Sequence, residues 1–228
     1  MPELGLEAVG GSRDSAPFLA ASDHVPPENI VSSEQDAEVD DVALARASEY
    51  RLLATLLAKA PSSELLAQIA RIAGDDTTLG RAHTALADAA RNTDTDALAR
   101  EYFDLFIGVG RGEILPYASY YLTGFLQERP LAAIRDDMSA IGIECAEGLS
   151  EPEDHIAILC EVMAGLASRQ FDVELATERR FFERHLKSWA PRFFADLESA
   201  AATKFYRNVG SLGRLFLQVE AEGFAMLA

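Results

Sequence analysis

Phe205, Val209, Leu212, Phe216 and Val219 recur at steps of four and three near the end of this 228-residue chain. An α-helix places residues so spaced on one face, so a helix burying that stripe is expected over about 204–222. The same period returns upstream. Leu44, Ala47, Tyr50, Leu53, Ala54 and Leu57 predict a helix from Ala43 to Ala60, closed by Pro61. Ser62 or Ser63 can cap a second helix carrying Leu65, Leu66, Ile69 and Ile72 and stopping around Gly74. Further helices are expected from Thr78 to Arg91, from the Thr93–Thr95 capping region onward, and over 119–128, 130–141, 152–169, 174–188 and 191–202. No segment shows the period-two alternation of a half-buried strand, and no repeat of fixed length is present. The expected fold is all-α, a single helical domain over 43–228.

Residues 1–42 break this pattern. They hold ten acids and one base, Arg13, among Gly, Ser and Pro without hydrophobic periodicity. Such a stretch cannot bury enough apolar surface to offset its ordering entropy, so it is expected to be a disordered acidic tail, dispensable for folding. The whole chain carries a net charge of −17. That repels phosphate backbones and anionic headgroups and excludes nucleic-acid and membrane-surface partners, while a basic peptide would be attracted. No apolar run approaches the roughly 18 residues of a membrane span, and the N-terminus lacks a basic region followed by an apolar core. A cytoplasmic protein without an integral membrane segment is expected. Cys145 and Cys160 stand in no metal-ligand spacing and are expected to be reduced and partly buried.

Two segments carry the functional information. In the first, Leu98, Tyr102, Leu105 and Phe106 share a helical stripe. Gly108, Gly110 and Gly112 then lead to Pro116-Tyr117-Ala118-Ser119-Tyr120-Tyr121. Aromatic stripes of this kind serve either as core or as the wall of a peptide groove, which tyrosine suits through its apolar body and polar tip. The second is Pro152-Glu153-Asp154-His155-Ile156, closing at Met163. Proline fits the first turn of a helix, and Glu153 and Asp154 fit the positive end of its dipole. Ile156, Leu159, Cys160, Met163 and Leu166 would form the buried face of this helix. Asp154 and Glu161 would share the opposite one, with His155 at the boundary. Asp154 can then act only as a cap and His155 only in packing, or the two can carry chemistry.

Catalysis has little support. The four histidines, at 24, 83, 155 and 185, make no pair at i, i+4 spacing. Ser119 lacks a G-x-S-x-G elbow, and the glycines follow no strand. Arg179-Arg180-Phe181-Phe182 sits in a charged helix and reads as a solvated face. The rival from another class is a small helical hydrolase or nucleotide-binding enzyme using Asp154 and His155, and a third reading is a helical adaptor.

In this order on an acidic helical chain, the two segments resemble the TorD-like family of dedicated molybdoenzyme chaperones. The first family pattern matches Tyr102, Leu105, Phe106, Gly108, Pro116, Ser119 and Tyr120 or Tyr121. The second matches Pro152, Asp154, His155, Ile156 and Met163. The chain departs from the family at Val109, where proline is usual, and at Leu159-Cys160, where Glu-Leu is usual. His185-Leu186-x-x-Trp189-Ala190-Pro191, Phe205-Tyr206 and Leu215-Phe216-Leu217 resemble the branch associated with formate dehydrogenases.

The resemblance implies a non-enzymatic chaperone, monomeric or homodimeric, with no cofactor or metal of its own. Its partner would be a molybdoenzyme catalytic subunit, formate dehydrogenase being the narrower reading, bound at the N-terminal leader. The residues implied for that peptide site are Tyr102, Phe106, Pro116, Tyr117, Ser119, Tyr120, Asp154, His155 and Glu161.

Overall fold

A computed structural model describes residues 19–21, 41–145, 151–171, 173–201 and 203–226. Its helices are α1 (Asp41–Ala58), α2 (Ser63–Ile69), α3 (Thr78–Arg91), α4 (Thr95–Tyr102), α5 (Ala118–Thr123), α6 (Arg129–Ala140), α7 (Ile156–Ala167), α8 (Leu175–His185), α9 (Ala190–Ser199) and α10 (Tyr206–Met226). A π-helical turn, Phe103–Ile107, continues α4. Helices begin where the sequence offers a side-chain acceptor. Ser62 accepts from the Leu65 N–H, Thr77 from the Gly80 N–H and Asp94 from the Ala97 N–H. The all-α expectation is met.

α7 is the centre of the molecule. Every residue from Ile156 to Ala167 is buried except Glu161, which is partly exposed. A helix apolar on all sides needs neighbours on all sides. Here α1 covers it most extensively, with α8 and the segment Leu19–Ala21 beside it. A second layer is built by α10, which lies against α9 and α3. The α9–α10 crossing depends on Gly210, where a Cβ would stand 2.5 Å from the Glu198 backbone nitrogen. Any larger residue there would force the two helices apart.

Four differences from the sequence reading have physical causes. Strands occur: β1 (Leu19–Ala21) pairs antiparallel with β2 (Ile143–Cys145), and three residues are too few to display a period-two pattern. β1 falls within the stretch expected to be a tail, and the rest of that stretch up to Asp40 lies outside the described residues. Secondly, α7 starts at Ile156 rather than Pro152, because the backbone of 154–156 is engaged by residues 116–118.

Thirdly, α5 stops at Thr123, where Gly124 turns left-handed at φ 85°. Lastly, two stripe residues face outward: Leu44 and Val219 are 46% and 50% exposed. The position buried in place of Val219 is Glu220. Cys145 is half-buried and Cys160 buried, both as free thiols. No helix of the described residues is long and apolar enough to cross a membrane.

Candidate functional site

Most of the expected residues meet where the chain enters α5 and α7. Pro116–Ala118 runs antiparallel to Asp154–Ile156. The Ala118 N–H donates to the Asp154 carbonyl at 3.0 Å, and the Ile156 N–H donates to the Pro116 carbonyl at 2.9 Å. Pro116 suits this position because its missing N–H leaves no donor unpaired. Asp154 is 1% exposed, and its Oδ2 accepts from the Ser119 N–H at 2.9 Å, tying the start of α5 to the start of α7. Its Oδ1 is buried without a hydrogen-bond partner among the described residues. The Ser119 hydroxyl, fully buried, accepts from the Glu128 N–H at 3.2 Å.

His155 caps α7. Its Nδ1 accepts from the Ala157 N–H at 3.1 Å, and its ring stands edge-on to Tyr117 at 5.2 Å. An accepting Nδ1 carries no proton, and burial lowers the pKa from 6.5 to about 4. With the folded value depressed, the stabilisation is fully present above the unfolded pKa and is lost as pH falls from 6.5 towards 4. The whole effect is on the order of 3 kcal/mol, with about 2 kcal/mol gone by pH 5. Urea unfolding at pH 7.5 and pH 5 checks this. His155→Asn keeps a capping acceptor without a titrating ring, and is expected to lose correspondingly less stability between the two pH values.

The aromatic residues occupy two levels. Tyr117 donates to Glu151 Oε2 at 2.6 Å; burial, then that bond, push its phenol well up. Tyr102 donates to the Ala58 carbonyl at 3.0 Å, and its ring lies 5.0 Å from Phe106 and 5.8 Å from Tyr206. Burial, aided by Glu151, raises its pKa to about 12. Tyr120, half-buried like them, carries its hydroxyl at the surface instead. Arg111 donates to its hydroxyl at 3.0 Å and lies over its ring at 5.4 Å. Gly108 makes that reach possible: its φ is 61°, and a Cβ there would meet the Arg111 carbonyl oxygen at 2.1 Å.

Beside Tyr120 opens a pocket of about 520 Å³, bordered by Glu113, Tyr121, Arg192 and Asp196. Tyr121 closes one wall by donating to Asp196 at 3.0 Å. Large apolar side chains stand exposed on the two segments that supply this site: Phe103, Ile107 and Val109 on the π turn and its loop, and Leu122, Phe125 and Leu126 at the end of α5 and beyond it. The Arg111–Tyr120 bond ties the two segments together.

One expectation needs correction, and one rival reading falls. Asp154 and Glu161 do not share an outer face, because Asp154 precedes the helix and is buried against α5. Glu161, half-exposed, lies close to Cys145 of β2, whose thiol is pushed up to about 11 by burial first and by Glu153 and Glu161 next. Nor do Asp154 and His155 form an acid–base pair, since the side chain of each accepts from a backbone N–H.

Three polar partners escaped the sequence reading: Arg111, Glu151 and Glu101. Glu101, 8% exposed, accepts from the Thr203 hydroxyl and from the N–H groups of Lys204, Phe205 and Tyr206, and so caps α10 from another helix. Its place three residues after Leu98, on the buried stripe, was the available signal.

Residues 72–195 match the family model described as the nitrate reductase delta subunit. The chain is 30% identical over 203 residues to a chaperone protein TorD of Vibrio atlanticus, covering 79% of this chain and 94% of that one. It is 34% identical over 130 residues to a chaperone protein TorD of Vibrio cholerae, 53% of this chain and 59% of the relative. The fold matches a crystal structure from Archaeoglobus fulgidus, solved as that of a candidate redox enzyme maturation protein. That match has a TM-score of 0.55 at 20% identity and covers 84% of this chain and 99% of the other.

Proposed function

The chain belongs to the TorD-like chaperone family, and from that premise we propose that it is a dedicated maturation chaperone for a molybdenum-containing oxidoreductase. It binds the N-terminal leader of the catalytic subunit and keeps the apo-subunit competent for cofactor insertion before export. It acts in the cytoplasm and carries out no turnover itself.

The observation that carries this reading is the apolar rim offered by the two segments that the Arg111–Tyr120 bond joins, on which Val109 is 98% and Phe125 70% exposed. Exposed apolar groups clustered in this way mark a partner surface. A leader's apolar stretch can be buried on the rim while the net charge of −17 draws in its arginines. Tyr102, Phe106, Tyr117 and Tyr120 supply the aromatic surface, and Pro116, Ser119, Asp154 and His155 position it. A donor reaching the unpaired Asp154 Oδ1 would satisfy a buried acceptor.

Formate dehydrogenase is the narrower client. Its support is the resemblance at His185-Leu186-x-x-Trp189-Ala190-Pro191. His185, Leu186, Trp189 and Ala190 are buried, so they would mark a branch by packing rather than by touching the client.

Co-purification from the native cell should recover a molybdoenzyme subunit, and recovery of none would overturn the function. Fluorescence titration with that subunit's leader should then show Tyr120→Ala and Phe125→Ser each weakening binding by roughly fivefold, about 1 kcal/mol. Asp154→Asn should also weaken it, with circular dichroism unchanged. Undiminished affinity in all three folded variants would remove this surface from the proposal.

A further inference from the structure

β2 offers a second recognition element. It follows α6 through Gly142, and Ile143, 2% exposed, anchors it in the core, while Glu144 is exposed and Cys145 half-buried. The strand paired with it comes from far away in sequence, with Leu19 opposite Cys145, Ala20 opposite Glu144 and Ala21 opposite Ile143. Those residues end Ala16-Pro17-Phe18-Leu19-Ala20-Ala21, the longest apolar run within the acidic first 42 residues. The edge therefore accepts an extended, apolar segment through main-chain pairing.

Acids surround this edge. Glu144 is on the strand itself, and Glu153 and Glu161 lie near Cys145. Arg135 offsets part of this charge through its 2.7 Å bond to Glu153. A two-stranded ladder three residues long is marginal by itself. Its attachment to the same chain keeps it at high effective concentration without making it irreversible.

We propose that the edge of β2 covered by Leu19–Ala21 is a docking site for an extended, apolar, arginine-bearing peptide strand, with the chain's own segment as its built-in competitor. This rests on the reading of the protein as a leader-binding chaperone. A competitor docked about 90% of the time lowers the apparent affinity of an incoming strand about tenfold.

The test uses the full chain in three forms: wild type, Ala20→Pro and Leu19→Cys. Directly opposed residues of an antiparallel pair have Cα atoms about 4.5–5.5 Å apart, within the range a disulfide spans. Mild oxidation of Leu19→Cys should therefore give an intrachain disulfide to Cys145, abolished by Cys145→Ser. The probe is a synthetic peptide with two consecutive arginines followed by an apolar stretch.

Ala20→Pro, whose ring holds φ near −65° and so away from the antiparallel-strand value of about −140°, is expected to bind the probe about tenfold more tightly than wild type. The oxidised Leu19→Cys form should bind it at least tenfold more weakly and recover on reduction. Equal affinity in all forms would overturn the edge proposal and leave the chaperone reading standing. Absence of binding in every form would overturn both. A disulfide found only between two chains would show the strand to be exchanged rather than held in cis, and would equally overturn the built-in competitor.

Discussion

Replacing Glu220 with alanine is expected to destabilise the protein by about 3 kcal/mol. Glu220 lies on α10, 3% exposed, and accepts from Arg46 through both oxygens at 2.6 Å and from the Tyr50 hydroxyl at 2.9 Å. Arg46 also donates to Glu178 at 2.5 Å, so one guanidinium joins α1, α8 and α10. Removing one member of such a cluster leaves a charge and a phenol facing a void, which costs about 3–5 kcal/mol for fully buried pairs. The lower end applies because the Arg46 side chain is 25% exposed and water can reach it. Glu220→Gln keeps the shape but not the charge and should fall between wild type and Glu220→Ala. Urea denaturation measures all three. A loss below about 1 kcal/mol for the alanine variant would mean that Glu178 and solvent satisfy Arg46 unaided.

Phe216→Ala is expected to cost about 3–5 kcal/mol. Phe216 is 2% exposed and stands edge-on to Tyr50 at 4.7 Å, filling the space between α10 and α1. Further along the helix, Glu222→Ala should stay within about 0.5 kcal/mol, because that side chain is exposed and its bond to Gln218, at 3.0 Å, lies on the surface. Equal and small effects for Phe216 and Glu222 would reverse the orientation of the helix. Tyr50 touches both Phe216 and Glu220, so the double variant Phe216→Ala/Glu220→Ala is expected to depart from additivity.

Both predictions turn on the same helix, and it shows how far the sequence reaches. The step of four from Leu212 to Phe216 is local information, so the burial of Val209, Leu212 and Phe216 was legible from spacing alone. One turn later the pattern misled. Val219 continues the apolar count, yet it is Glu220 that faces inward, because its partner Arg46 lies 174 residues away. The functional segments behaved alike. Tyr102, Phe106, Tyr117 and Tyr120 were recognisable as aromatic positions in two short segments, but which tyrosine hydroxyl lies at the surface was not.

Local sequence dictated the helical class, the caps at Ser62, Thr77 and Asp94, and the two segments that enter α5 and α7. Each of these depends on residues within about one helical turn of one another, where spacing and propensity act. Long-range packing settled that Asp154 and His155 are buried and hold backbone donors, that α7 begins at Ile156, and that Leu19–Ala21 lies on β2. Those outcomes rest on pairings between distant segments. A buried polar group is tolerated only where such a segment supplies the hydrogen bond, and no local pattern records which segment that is.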